Sequence, residues 1–524
     1  MNGETKSEKG ISLSKGVARF SGGTLISRVL GLVREQVFAI LFGAGVYTDA
    51  FFAAFRIPNL LRDLFAEGAL SAAFIPTFSK ENSDKGKQTA FQLANLVFTS
   101  MAIIVSAVCF LGIIIAPLIV HLIAPGFANV EGQMALTVVM TRIMFPLLLF
   151  VSLSSIAMGI LNTYGIFGIP ALAPVMFNLA MIACGIFLRG YFDPPIIAMA
   201  VGVFIGGAGQ LSFQIPALLA IGFRFKLKID FRDERLKKIF RLMLPASLGT
   251  AAIQINIFVN TLLASFLPHG SLSYLNYGYR LMHLPLALFG VGVASVSLPR
   301  FSLEYSSNDI DGLKEEYISS LRFSLFLILP AMSFILAGAF PIVGTIFQHG
   351  KFSYSDTIAT VGVLRLYASG LFAFATVRIT SQAFFAMHDT KTPMKTGVIA
   401  VGVNIILNLI LMGPFQYLGL AAATTIAGIL NMTILVFLLR RRLGRIGLRQ
   451  LFVFAVKIVG INLSLAIGVL YICAKFGLNS GVVGGWTEGI MLLALIVAYI
   501  VGYIGLSALF GLKESSKIIK LFRK

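Results

Sequence analysis

Long apolar runs recur along nearly the whole chain, separated by short polar connections. The pattern predicts spans near 16–43, 48–79, 88–120, 133–161, 167–189, 195–222, 236–266, 272–300, 317–347, 357–387, 394–413, 415–439, 450–476 and 485–511. Such runs suffice to cross a hydrocarbon layer of roughly 30 Å as helices rising about 1.5 Å per residue. Runs such as Met101–Val120 and Met491–Phe510 lack the alternation of a membrane strand, so helices are the expected spanning elements. The predicted fold is an all-α polytopic membrane protein with fourteen transmembrane helices.

Composition agrees. The chain is 57% hydrophobic and 12% charged, with a mean hydropathy of +0.89, whereas soluble domains carry about 25% charged residues. A net charge of +20 raises the question of nucleic acid, but the basic residues lie mostly in the short connections. Counted over alternate connections, 28 Lys and Arg fall on one side and three, Arg189, Lys351 and Lys475, on the other. By the positive-inside rule both termini of this multi-pass protein are expected in the cytoplasm. The basic stretch Phe223–Arg241 reads as an amphipathic cytoplasmic linker lying on anionic membrane lipids. Neither it nor Arg440–Arg449 carries a nucleic-acid-binding module, and no nucleic-acid partner is expected. The polar N-terminal stretch runs directly into the first span, and no cleavable signal peptide is expected. Cys109, Cys184 and Cys473 are isolated in apolar runs and read as packing residues. No His, Cys or carboxylate grouping has metal-ligand spacing, and no phosphate-binding glycine loop is present, so neither a metal nor an ATP-driven mechanism in this chain is expected.

The two halves echo each other. Phe74-Ile-Pro-Thr-Phe-Ser-Lys-Glu81 matches Ser297-Leu-Pro-Arg-Phe-Ser-Leu-Glu304, with Pro76 and Pro299 separated by 223 residues. Pro170 followed by Asn178 is echoed by Pro393 followed by Asn404, and Arg280 is the second-half counterpart of Arg56. An offset spanning six helices implies parallel repeats, the usual sign of a transporter with its site between repeats. The expected organisation is an N-terminal lobe over 1–222, the linker over 223–241, a C-terminal lobe over 242–447, and two additional helices with a basic cytoplasmic tail over 448–524.

Charge inside the first two spans is the main functional signal. Arg28, Arg34, Glu35, Asp49, Arg56, Arg62, Asp63 and Glu67 fall within them, although a charge at the centre of a membrane helix costs roughly 2.5–3.5 kcal/mol on insertion scales and normally marks a transport path. On an ideal helix Asp49, Arg56, Asp63 and Glu67 share a stripe within about 40°, with Arg62 off it; Arg28 and Glu35 share a face, and Arg34 points roughly 120° away. The reading is a central cavity holding Arg28, Arg34, Arg62 and Arg280, with Arg56 as a further candidate and Asp49, Glu35, Asp63 and Glu67 as counter-charges. Planar guanidinium forks suit phosphate oxygens, so the substrate is expected to be anionic and phosphorylated. Asp389, in the connection after span ten, reads as a gate charge, an ion ligand or a helix cap. Arg142, Arg365 and Arg378 read equally as snorkelling, helix-capping or path-lining groups.

The run SRVLGLVREQVFAILFGAG and the following TDAFFAAFRIPNLLRDLFAEGALSAAFIP resemble the MurJ (MviN) family of bacterial lipid II flippases, in the multidrug/oligosaccharidyl-lipid/polysaccharide exporter superfamily. Support continues at Ala124–Phe127, Gly159–Pro174, Tyr279–Pro285, Phe347–Phe352 and Asp389–Pro393, covering essentially the whole chain. The resemblance implies fourteen helices in two lobes, alternating access, and a groove lined by helices thirteen and fourteen for a polyprenyl tail. Its cavity arginines match Arg28, Arg34, Arg62 and Arg280, and its important acids match Asp49 and Glu67; Asp63 stands where some members carry a second basic residue. The implied function is movement of the undecaprenyl-pyrophosphate-linked peptidoglycan precursor, lipid II, from inner to outer leaflet, in a protein that is not an enzyme. No cofactor is implied; coupling to sodium, protons or membrane potential stays open, and no sodium ligands are assigned. Other cell-wall synthesis proteins are candidate partners. The alternatives are a flippase for another anionic lipid-linked oligosaccharide, a cation or drug antiporter, which the excess of arginine opposes, and a non-transporting scaffold for envelope synthesis.

Overall fold

The computed structural model describes residue 23 and residues 26–62, 70–478, 486–512 and 514–515. Among these residues every regular element is helical, as an apolar environment demands of a backbone that must satisfy its own hydrogen bonds. The chain forms two compact units, Met1–Phe266 and Leu267–Lys524.

The first unit contains α1 (residues 26–42), α2 (Val46–Arg62), α3 (Ser71–Lys85), α4 (Lys87–Ile114), α5 (Ala116–Ile123), α6 (Gln133–Met144), α7 (Leu147–Thr163), α8 (Gly168–Ala183), α9 (Ile197–Ser212), α10 (Ile215–Ala220) and α11 (Glu234–Ala264). Its core joins Phe74 and Phe78 of α3 to Leu93, Val97 and Met101 of α4, Ile156 and Ile160 of α7, and Leu236 and Ile239 of α11. The second unit contains α12 (Ser271–Pro285), α13 (Gly292–Ser306), α14 (Ile310–Phe347), α15 (Tyr354–Ser369), α16 (Leu371–Ala386), α17 (Lys391–Leu443), α18 (Leu448–Lys475) and α19 (Trp486–Leu509). There Phe301, Tyr317, Ile379, Phe384 and Leu435 form one core cluster. Phe326, Phe454, Ile458 and Tyr503 form another, which fastens the last two helices to α14.

Nine described helices are long and apolar enough to cross a membrane, or ten when the bent pair Tyr354–Ser369 and Leu371–Ala386 counts as one span. One of them carries two expected crossings. At about 1.5 Å per residue a straight α17 would far exceed a bilayer, and its backbone breaks at Gln416, where φ is 49° and ψ is −132°. The amide of Asn404 lies 3.4 Å from the hydroxyl of Thr424, and a Cβ on Gly419 would meet the carbonyl of Leu411 at 2.3 Å. Both contacts require the chain to fold back on itself. The expected first, second and seventh spans run into residues whose positions or side chains lie outside the described set.

The duplication is also visible within each unit. Pro76 lies inside α3 and Pro299 inside α13. The helical path from α4 to α5 breaks at Ile115 (φ −86°, ψ 7°), and α14 breaks at Gly338 (φ −99°, ψ 16°), again 223 residues later. Short matches between apolar helices arise easily from composition; a repeated backbone break at the same offset does not.

The linker has a period of two where an amphipathic helix would have 3.6. Residues 223–230 are non-helical, and α11 begins only at Glu234, capped by Asp233. Asn95 of α4 donates to the carbonyl of Arg224 at 3.1 Å and accepts from the amide of Lys226 at 2.9 Å, while Thr99 accepts from the amide of Lys228 at 3.3 Å. One turn of α4, about 6 Å, thus matches two extended residues, about 6.6 Å. Phe223 is buried against Phe91, while Phe225, Leu227, Ile229 and Phe231 are exposed beside Arg224 and Lys226.

Candidate functional site

The described part of α1 carries the polar Ser27-Arg28 pair near its first residue, with Arg34 and Glu35 one to two turns later. Arg28 and Glu35 occupy the same helical face, yet Arg28 is exposed and Glu35 is buried. Seven residues are about 10 Å of rise, enough to place the two in different surroundings. Arg34 bends toward its neighbour: its Nη2 donates to Glu35 Oε1 at 2.5 Å. Its Nη1 lies 3.8 Å from the sulfur of Met181, and its guanidinium carbon sits 5.9 Å from the centroid of Phe177. Asn178 of the same α8 stretch donates to the carbonyl of Ser27 at 3.2 Å. The Arg34 side chain is only 12% exposed. A cation in that position is tolerable because an acid, a soft sulfur and an aromatic face share its charge.

At the start of α2, Thr48 closes the turn: its hydroxyl accepts from the amide of Gly45 at 2.7 Å and donates to the Gly45 carbonyl at 3.0 Å. Asp49 follows in the first turn and is 3% exposed, where the exposed N–H groups of a helix start favour a carboxylate. Arg56, two turns on, donates from Nε to Thr261 Oγ1 of α11 at 3.0 Å. Arg62 ends the helix half-buried. Asp63 and Glu67 lie outside the described residues, so the expected stripe is described at Asp49 and Arg56 alone.

In the second unit Arg280 is exposed on α12, with His283 and the Tyr279 ring on the same helix. Asp389 both caps and bridges. Its carboxylate accepts from the amide and hydroxyl of Thr392 at 3.0 and 2.8 Å and pairs with Arg442 at 2.6 Å. Burial alone would raise its pKa, and the Thr392 and Arg442 contacts outweigh burial and hold it below the ordinary value. Of the three readings for Asp389, the helix cap is the one its contacts display.

Several contacts were invisible to sequence pattern: Phe177 and Met181 beneath Arg34, and Thr261 beside Arg56. Arg142 and Arg365 each cap a helix break, donating from Nε to the carbonyls of Ile113 and Leu336 at 3.2 Å. Pro117, four residues after Ile113, was the one available signal, since proline leaves that carbonyl without a donor. Among the described residues no cluster of His, Cys, Asp or Glu fits a metal ion.

The fold has solved counterparts. An inward-facing multidrug resistance MATE family transporter of the MOP superfamily superposes with a TM-score of 0.68 at 15% identity, over 82% of this chain and 98% of that one. At that identity the likeness is one of fold, an all-helical scaffold of many membrane-length helices. A structure of the lipid II flippase MurJ in an inward closed conformation matches with a TM-score of 0.76 and 28% identity, over 93% of this chain and 98% of that one. The family model for lipid II flippase MurJ matches residues 38–492. The probable lipid II flippase MurJ of Buchnera aphidicola subsp. Acyrthosiphon pisum is 36% identical over 440 residues, 83% of this chain and 85% of that protein. The Vibrio cholerae protein of the same description is 36% identical over 419 residues, 79% and 80% of the two chains. The chain belongs to the lipid II flippase MurJ family, a family of transporters rather than enzymes, and its apolar spans place it in the bacterial inner membrane.

Proposed function

We propose that this protein moves lipid II, the undecaprenyl-pyrophosphate-linked peptidoglycan precursor, from the inner to the outer leaflet. The observation that carries this reading is the family match across residues 38–492. In the finer mechanism, lobes 1–222 and 242–447 alternate access to a cavity in which Arg28, Arg34, Arg62 and Arg280 bind the pyrophosphate. Arg34 supports that role by its position. Glu35 Oε1 accepts from its Nη2, and the Phe177 ring lies beside the guanidinium, so the fork is held in a defined orientation. A pyrophosphate carries more than one negative charge and accepts bidentate hydrogen bonds from several forks at once. The acids Asp49 and Glu67 balance the cavity when it is empty.

Both termini lie in the cytoplasm on this reading, and the exposed basic and aromatic side chains of residues 224–231 rest on anionic lipid. Helices α18 and α19 line the groove for the polyprenyl tail. Membrane potential contributes about 2.3 kcal/mol for each charge moved through 100 mV.

The test is conditional depletion in a host that depends on its own flippase, complemented with wild type or Arg28→Ala at equal expression. Wild type restores growth and lipid II translocation, while Arg28→Ala leaves lipid II accumulated on the cytoplasmic side. Full growth and normal translocation with Arg28→Ala would overturn the arginine mechanism; accumulation of a different lipid-linked intermediate would overturn the choice of substrate.

A further inference from the structure

Arg142 of α6 and Arg365 of α15 are 223 residues apart and perform the same act in the two repeats. Each donates from Nε, at 3.2 Å, to a carbonyl 29 positions earlier in the chain, Ile113 for Arg142 and Leu336 for Arg365. Each acceptor lies two residues before a helix break, at Ile115 and at Gly338. Pro117 has no N–H to offer Ile113, and Leu336 stands just before the non-helical backbone at Gly338. A buried or lipid-facing carbonyl without a donor is costly, and a charged donor meets that need well.

Nε is only one edge of a guanidinium. The four N–H bonds on the two Nη atoms point away from it in a fixed plane. Both arginines are exposed, and neither forms an ion pair among the described residues. Phe110, Leu111 and Ile114, beside Ile113 in the chain, and Val139, one turn before Arg142, are exposed and apolar; on α15 the face that carries Arg365 also exposes Ile358 and Tyr354, two and three turns earlier. An outward surface built of such apolar side chains on a spanning helix suits lipid rather than water. A fixed cation on a lipid-facing surface calls for an anion supplied by the lipid.

We propose that Arg142 and Arg365 are a repeat-related pair of phospholipid phosphate sites, each guanidinium stapled through Nε to a helix break and presenting its Nη edge to the phosphodiester of an anionic headgroup. The staple fixes the plane of the fork, so the ligand meets a preorganised bidentate donor. Occupation by lipid then supports the break in each repeat from outside. These sites are separate from the substrate arginines on α1, α2 and α12 and do not depend on the identity of the transported lipid.

The full-length protein in detergent, titrated with phosphatidylglycerol and followed by native mass spectrometry, tests this. Wild type is expected to retain two more phosphatidylglycerol molecules than Arg142→Gln/Arg365→Gln, and each single variant to lose one. Arg142→Lys/Arg365→Lys keeps the charges but not the fork, and is expected to bind about ten-fold more weakly. It carries the test if the glutamine pair fails to fold. Millimolar inorganic phosphate is expected to leave the wild-type count unchanged. Equal retention by wild type and the glutamine pair, or equal affinity in the lysine pair, would overturn the sites. Displacement of both lipids by inorganic phosphate would overturn the lipid headgroup as their ligand.

Discussion

Arg56 Nε and Thr261 Oγ1 lie 3.0 Å apart, joining α2 to α11 across 205 residues of sequence. Thr261 is 1% exposed and its hydroxyl donates to the Ile257 carbonyl at 2.9 Å, so its oxygen is held ready as an acceptor. An arginine tied in this way has a structural duty as well as a charge. Thr261→Val is therefore expected to cost about 1.5–3 kcal/mol, the scale of a hydrogen bond to a charged group. The double-mutant cycle with Arg56→Ala should show coupling of at least about 1 kcal/mol in unfolding experiments. Strictly additive effects would show that the two residues do not act together.

Acid should loosen the junction between α3 and α11. Arg235 pairs with Glu81 at 2.7 Å and with Asp233 at 2.6 Å. The Arg235 side-chain hydrogen bond holds the Asp233 carboxyl down at about 2, from an ordinary 3.8. For Glu81 burial acts in the raising direction, and Arg235 and Lys85 together outweigh it. A carboxyl group with a depressed folded-state pKa stabilises the fold fully above its unfolded value and loses that contribution as pH falls through the folded one. The Asp233 contribution should be complete above about pH 4 and decline toward pH 2. Melting temperatures of wild type and Asp233→Asn are expected to differ near neutrality and to converge in that window; a constant gap at every pH would contradict the assignment.

Gly126 should not accept a side chain. A Cβ there would lie 2.2 Å from the carbonyl oxygen of Ser265, whose hydroxyl already accepts from the Gly126 amide at 3.2 Å. The obstacle is backbone, so the end of α11 must move. Gly126→Ala is expected to destabilise by about 1–3 kcal/mol, the usual range for overpacking, and to lower the melting temperature. Gly132→Ala makes an informative contrast, because its space is open but its φ is +75°, so its cost is conformational strain alone. A Gly126→Ala protein as stable as wild type would show that α11 is not seated there.

Much of this protein was legible without coordinates. Hydropathy marked the spans because transfer into lipid is a local property of each segment. The 223-residue echo between Pro76 and Pro299 anticipated the matched breaks at Ile115 and Gly338. The charged residues of α1, α2 and α12 stood out because ionised groups are rare in apolar helices. Helical angles went less far: they set Arg34 apart from the Glu35 face, yet a long flexible side chain brings its Nη2 to Glu35 Oε1.

What the tertiary structure decided is which groups meet across helices. Phe177 and Met181 receive Arg34, Thr261 receives Arg56, and Asn95 and Thr99 hold the linker as an extended strap. Each contact depends on how far one helix is rotated and shifted against another, and on where the backbone breaks. A periodic pattern of apolar residues fixes which side of a helix turns to the protein, but many rotations and shifts satisfy it equally. Packing selects among them, and with them the surroundings of every charge.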